Sequence, residues 1–423
     1  MESSNRGKLD GMSLVSFIES SPSSYHAASV VAAMLRDAGF TEQSESALWS
    51  GAPGGHFMVR DGAVMAWKIP SGEPRGFRIV GSHTDSPGFK LKPRADLSAA
   101  GFQQAGVEVY GGPIIASWLD RELRFAGRIV LADGTSRLVA TDADFRIPHL
   151  AIHLDRSVND SLTLDRQAHT QPIYAVGATE TSVLDLVAAA AGVSVSDIVA
   201  HDLITVDGQP GALFGLDDKF IAAGRMDNLS SVWASLQAFL RASASDDVLV
   251  FAAFDHEEIG SATTTGAAGP ILETVLTRTA AALGCGYEET QQMFARSTCV
   301  SADAAHSIHP NYASRHDPVN YPVLGAGPVV KVNANQRYAS NAVTVGMWER
   351  ACRVAGVPSQ VFAGNNNSPC GSTIGPITAT RLGIETVDVG IPLLSMHSAR
   401  ELAHVDDMAW FEEALFSYLT LAD

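Results

Sequence analysis

Phe251-Ala-Ala-Phe-Asp-His-Glu-Glu-Ile-Gly-Ser261 is the stretch in which fold and chemistry meet. It continues an apolar run, 248–254, with the length and composition of a buried strand, and the run stops at two adjacent carboxylates, Glu257 and Glu258. Neighbouring side chains on an extended chain point opposite ways. One carboxylate can therefore hold a metal while the other faces a substrate as general base, the division of labour of a metallohydrolase. Taken alone, an adjacent acid pair is an ordinary solvated surface feature. The rest of the chain shifts that weighting, because several other apolar runs also end in His or Asp.

Outward from this stretch, patterning predicts strands at 77–80, 298–303, 329–333, 360–363 and 385–389. Helices are predicted at 24–39, 226–242, 339–355, 372–382 and 408–421. Buried strands alternating with helices predict an α/β layer architecture with a mostly parallel sheet. Residues 92–224 differ: short strand patterns, Gly and Asp turns, and little helical periodicity. Within them, 127–132 and 136–141 flank Asp133-Gly134 and predict a hairpin. The expected organisation is a discontinuous catalytic domain, 1–91 and 225–423, interrupted by a β-rich domain, 92–224.

The chain has 423 residues, 46% hydrophobic and 18% charged, an ordinary soluble composition long enough for two domains. Its net charge of −17 argues against nucleic acid and anionic membranes as partners. An acidic substrate would be repelled by that field, so local positive charge would have to recognise it. No apolar run reaches membrane-spanning length, and Met1-Glu-Ser-Ser-Asn-Arg6 lacks the apolar core of a signal peptide. Cys285, Cys299, Cys352 and Cys370 show neither CxxC nor zinc-ribbon spacing, which predicts reduced thiols and a cytoplasmic protein.

His83-Thr-Asp85 follows the 77–80 run. Positions two apart on an extended segment share a face, so Asp85 can hold His83 as carboxylates often hold metal-binding imidazoles. A turn Asp beside a chance His is the plain alternative. Asp227, in Gly224-Arg-Met-Asp-Asn228, stands at a helix start, where an Asp is commonly an N-cap. Its two oxygens also suit it to bridge two cations about 3.5–4 Å apart. Asp303 ends the 298–303 run. His306 and His309 follow, but Pro310 argues against a continuous helix there, leaving Asp303 as the ligand and the histidines as supporting or structural groups. His397 follows the last predicted strand. Alone it reads as a satisfied buried histidine; it gains weight as the second nitrogen donor of a set. His83, Asp227, Glu258, Asp303 and His397, with Glu257 free, offer two imidazoles and three carboxylates. Such mixed donors suit two divalent ions, Zn²⁺, Co²⁺ or Mn²⁺ rather than Ca²⁺ or Cu⁺. Each donor lies where a strand ends or a helix begins, where open α/β sheets carry their sites.

With these residues in place, the chain resembles the M18 metalloaminopeptidases, the aspartyl aminopeptidase family, over nearly its whole length. The matching segments begin with Ser82-His-Thr-Asp-Ser-Pro-Gly-Phe-Lys-Leu-Lys-Pro93, Trp118-Leu-Asp-Arg-Glu-Leu123, Ala126-Gly-Arg128 and Leu150-Ala-Ile-His-Leu154. They continue through Arg225-Met-Asp-Asn228, Asp255-His-Glu-Glu-Ile-Gly-Ser261 and Ser301-Ala-Asp-Ala-Ala-His306. The last are Lys331-Val-Asn-Ala-Asn-Gln-Arg-Tyr338, Cys370-Gly-Ser-Thr-Ile-Gly-Pro376 and Met396-His-Ser-Ala-Arg-Glu401.

The resemblance implies a phosphorylase/hydrolase-like α/β catalytic domain, a mixed sheet flanked by helices, with the inserted β-rich domain used for oligomerisation and dimer contacts. It implies one metal on His83 and Asp303, the other on Glu258 and His397, Asp227 between them, Glu257 as base and Asp85 supporting His83. It places Lys331 near the substrate, where its ammonium could pair with a substrate carboxylate; a rim or edge-strand lysine is the plain alternative. It further implies a homo-oligomer, a tetrahedral dodecamer with internal active sites, in which His153 reaches a neighbouring subunit's site. By its neighbours Ile152 and Leu154 alone, His153 reads as a core or edge-strand histidine.

The expected activity is removal of N-terminal residues, acidic ones preferred, from peptides. Two divalent ions per subunit, Zn²⁺ first with Co²⁺ or Mn²⁺ also suited, would polarise the scissile carbonyl and activate water; Glu257 would carry the proton and His153 would face the oxyanion. One departure bears on specificity. The family commonly carries an Arg and an Asp shortly before the Cys370 segment, and here those positions are Asn365 and Asn367. Losing a guanidinium partner for an acidic side chain raises the alternative of neutral or broad specificity. A catalytically silent assembly or cargo protein is a third reading, opposed by the complete donor set.

Overall fold

The computed structural model describes residues 12–244 and 246–421; the stretch Met1–Arg6 read above lies outside them. Nine strands form one sheet, in the order Thr41–Glu42, Gly54–Arg60, Ala63–Ile69, Val248–Phe254, Phe77–His83, Thr298–Ala302, Glu385–Gly390, Val329–Val332, Gln360–Ala363. The four central strands, Val248–Phe254 to Glu385–Gly390, run parallel. Ala63–Ile69 and Val329–Val332 join them antiparallel. The sheet is therefore mixed, with a parallel centre.

The apolar run that leads to Glu257 and Glu258 spans Val248–Phe254 and is buried throughout. Its side chains divide by period two. Leu249, Phe251 and Ala253 enter the core beneath helices Ser24–Asp37, Met226–Arg241, Ala342–Ala355 and Val405–Thr420. Val248, Val250, Ala252 and Phe254 enter the opposite core, under Ile271–Ala282, Tyr287–Ala295 and Ile374–Leu382. Helices on both faces bury both sides of the strands, which is why these read as unbroken apolar runs.

The second sheet takes its strands from Gly88–Ala99 through Ile198–Asp207. Ile198–Asp207 pairs with both Gly88–Ala99 and Glu122–Leu131, so the sheet curls towards closure around Phe89, Leu91, Trp118, Phe125 and Phe145. The expected hairpin is present: Glu122–Leu131 pairs with Ser136–Ala140, with Val130 opposite Ser136. Two features differ from the sequence patterning. This region also holds a helix, Val183–Ala191, begun by Ser182 and Asp185 in a reciprocal cap and ended at Gly192, φ 65°. Ala212–Phe214 and Phe220–Ala223 form a separate three-stranded sheet with Glu401–His404. That sheet ties the end of the second-sheet region to the loop carrying His397. No helix among the described residues is long and apolar enough to cross a membrane.

Candidate metal centre

Parallel strands deliver their C-termini to one edge, and the donors gather there. Phe254 lies opposite His83 in the ladder, so His83 and the Asp255–Glu258 turn leave the sheet side by side. Asp303 follows Thr298–Ala302 directly, its N–H donating to Val389 O at 2.8 Å. Asp227 sits at the entrance of Met226–Arg241, where the backbone departs from helical angles.

His83 Nε2 is 3.4 Å from Asp227 Oδ1 and 3.9 Å from Asp303 Oδ1. His397 Nε2 is 3.3 Å from Asp227 Oδ2 and 3.4 Å from Glu258 Oε2. His83, Glu257 and Glu258 bring donor atoms within 4.8 Å of one another, and so do two triads built on Asp227, His83–Asp227–Asp303 and Asp227–Glu258–His397. Asp227 belongs to both and gives a different oxygen to each. Glu257 lies beside the first triad, its Oε2 4.0 Å from His83 Nε2.

Further groups hold the donors. Asp85 accepts N–H bonds from Glu257 (3.0 Å) and Glu258 (3.1 Å) and the Tyr110 hydroxyl (2.8 Å). His83 Nδ1 meets the Asp85 carbonyl at 3.0 Å, leaving Nε2 for the cluster. Glu401 does the same on the other side: it accepts from Asp227 N at 2.9 Å and His397 N at 2.8 Å. Gly112 O lies 3.1 Å from His397 Nδ1. Glu401 and Tyr110 were not singled out from sequence as functional; no local pattern marks either.

The cluster's electrostatics ask for cations. Burial raises the Glu257 carboxyl to about 7, with Asp303 and Asp227 adding to it against His83. Glu258 is raised too, by burial and then by Asp227. His397 is lifted to about 10: burial opposes this, but the Asp227 hydrogen bond and Glu258 overcome it. Among such crowded carboxylates, divalent ions would supply the positive charge that the site favours. Asp227 Oδ1 and Glu258 Oε1 are buried without a hydrogen-bond partner. Buried carboxylate oxygens left unpaired are costly, and divalent ions would satisfy them, so the donor set fits zinc.

Lys331 borders the cluster, whereas His153 makes no part of it. Lys331 is buried, not on a rim; its Nζ is 3.1 Å from Ala304 O, 3.5 Å from Asp303 Oδ2 and 5.2 Å from the Tyr338 ring centre. His153 is on an exposed turn beside exposed Leu150, Ile152 and Leu154, so it is neither a core nor an edge-strand residue. His306 and His309 make no triad; His309 Nδ1 accepts from Asn311 N at 3.2 Å and its ring packs on Tyr312.

From His306 an open cleft runs between Arg315 and His316 on one side and the 364–371 loop on the other. Tyr338, Phe362 and Cys370 line its wall. Tyr338 joins cleft to donor set: Lys331 Nζ lies 5.2 Å from its ring centre and 3.5 Å from Asp303 Oδ2.

Two sets of metal donors sharing one carboxylate, beside a further acid and an open cleft, are the equipment of metal-assisted hydrolysis, and the protein falls in the class of metal-dependent hydrolases. A family model described as Aminopeptidase I zinc metalloprotease (M18) matches residues 17–418, and the chain belongs to this family of zinc aminopeptidases. It is similar to the probable M18 family aminopeptidase 2 of Streptomyces avermitilis, 47% identical over 98% of each chain. Among solved structures it is similar to Ape4 in its cryo-EM complex with Nbr1: TM-score 0.93, 36% identity, 96% of this chain and 84% of that one. The S. cerevisiae mApe1 dodecamer matches with TM-score 0.83 and 27% identity over 96% of this chain and 95% of that one.

Proposed function

We propose that this aminopeptidase works with two zinc ions and removes N-terminal acidic residues, Asp and Glu, from peptides. The observation that carries the two-ion reading is Asp227, which gives one oxygen to each triad. His83 and Asp303 would hold one ion, Glu258 and His397 the other. When bound, the ions supply positive charge for the scissile carbonyl and acidify water.

The chain's own groups do the rest. Glu257 is the general base: its carboxylate accepts a proton from the attacking water and passes it to the leaving amine nitrogen. Asp85 fixes the Glu257 and Glu258 backbone and so aims both side chains. Lys331 serves the substrate side from beside Asp303 and Tyr338. His153 acts in a second copy's site, facing the oxyanion. Its exposure among apolar Leu150, Ile152 and Leu154 supports an assembled form in which this turn is covered. We take residues 92–224 as the oligomerisation domain of a homo-oligomer, a tetrahedral dodecamer; mApe1 of S. cerevisiae is a dodecamer. The four free cysteines support a cytoplasmic location.

Neutral specificity is the second reading, favoured by the amide side chains of Asn365 and Asn367 in the cleft wall. Initial rates on Asp-, Glu- and Leu-p-nitroanilide separate the two. They are measured on metal-stripped protein before and after adding Zn²⁺, Co²⁺ or Mn²⁺. Metal-restored activity favouring Asp or Glu is expected. A Leu preference would overturn the acidic specificity, and no activity with any metal would overturn the catalytic reading.

A further inference from the structure

The cleft beyond His306 differs electrostatically from the molecule around it. The chain carries 46 acidic residues, yet among the described residues no Asp or Glu lines this cleft. Its ionisable lining includes His306, His316 and Arg315. Burial first and then His309 lower the His316 imidazole below its usual range, and its Nε2 accepts the His309 N–H at 3.2 Å. Arg315 brings the guanidinium of this cleft. Its side chain is exposed and makes no hydrogen bond or ion pair among the described residues. A guanidinium in a cleft free of carboxylates is a ready partner for an anionic group, and its planar fork matches a carboxylate.

Asn365 gives the arrangement a second support. Its amide does not reach for a guest. Nδ2 donates to Ser314 O at 3.4 Å and His316 O at 3.2 Å, and Oδ1 accepts from Asn367 N at 2.9 Å. Asn365 thus clamps the two carbonyls that bracket Arg315. Lys331, the other cation nearby, is buried and already engaged by Asp303 and Ala304 O.

We propose that Arg315 is the specificity-determining residue of this chain: its guanidinium receives the side-chain carboxylate of the substrate's N-terminal Asp or Glu, and Asn365 is the positioning residue that holds the Arg315 loop. The assignment rests on the acidic-peptidase reading and names the group that carries it out.

The test compares wild-type, Arg315→Ala, Arg315→Lys and Asn365→Ala proteins, zinc-loaded and full length, on Asp- and Leu-p-nitroanilide. For Arg315→Ala the Asp-to-Leu ratio of kcat/KM falls by ~10- to 100-fold, the worth of a charge-assisted hydrogen bond. The change lies in KM for Asp more than in kcat. Arg315→Lys recovers part of the ratio, and Asn365→Ala lowers it less than Arg315→Ala. An acid preference that survives Arg315→Ala overturns the assignment and leaves the acidic reading standing. Equal losses on both substrates also overturn it, since they mark a structural role. A wild-type enzyme without acid preference overturns the acidic reading, and this assignment with it.

Discussion

Glu257 and Glu258 are chemically identical neighbours, and direction separates their roles. Glu258 turns to His397 and Asp227, whereas Glu257 stands beside His83 with its carboxyl raised to about 7. Glu257→Gln keeps the shape and removes the proton acceptor. It should lower kcat by ~10²- to 10⁴-fold, the usual worth of a general base, with zinc content unchanged by elemental analysis. Near-wild-type rates in the purified variant would remove Glu257 from that role. Glu401 has one oxygen for each of two ligand-bearing N–H groups. Glu401→Gln replaces one acceptor with a donor, and zinc affinity should fall by ~10- to 100-fold in competition with a chelating dye. The five triad residues were legible in sequence because each closes an apolar run or opens a helix. Glu401 and Tyr110 were not: Glu401 meets His397 four residues away but Asp227 from 174 residues away, Tyr110 meets Asp85 from 25 residues away, and only folding brings the distant partners together.

Strand ends position the metal donors, so small changes at those ends should reach the centre. Gly390 closes Glu385–Gly390 beside Asp303. A Cβ there would lie 1.9 Å from Asp303 O and 2.6 Å from its carbonyl carbon, both backbone atoms that cannot swing away. Gly390→Ala should therefore shift Asp303, lowering both Tm by calorimetry and zinc affinity. A variant that kept both would show that Asp303 tolerates the displacement. Doubly buried central strands were readable as continuous apolar runs. The helices Ile271–Ala282 and Tyr287–Ala295 were not assigned from sequence, although Ile271, Leu272, Val275 and Leu276 carry a helical stripe into the core. Nor was Val183–Ala191, whose Ser182/Asp185 cap and closing Gly192 were local signals of a helix. Strand patterning around it masked them.

Across the whole molecule, two sheets meet at the donor cluster. The nine-stranded sheet supplies His83, Glu258 and Asp303 from its parallel centre, and Glu401–His404 ties the His397 loop to the end of the second-sheet region. The α/β class and the β-rich interruption were visible in the alternation of patterns. The antiparallel neighbours of the parallel centre were not, because strand direction is set by how the connections cross the sheet and leaves no mark on a strand's own residues. The assembly makes one demand that no single element makes: both triads share Asp227, so neither triad is complete without it. The most direct measurement is a Zn²⁺ titration of metal-stripped protein, reading the initial rate on Asp-p-nitroanilide against equivalents added. The two-ion site predicts a rate that rises to a plateau at two equivalents per chain. A plateau at one equivalent, or hydrolysis unchanged by zinc, would contradict it.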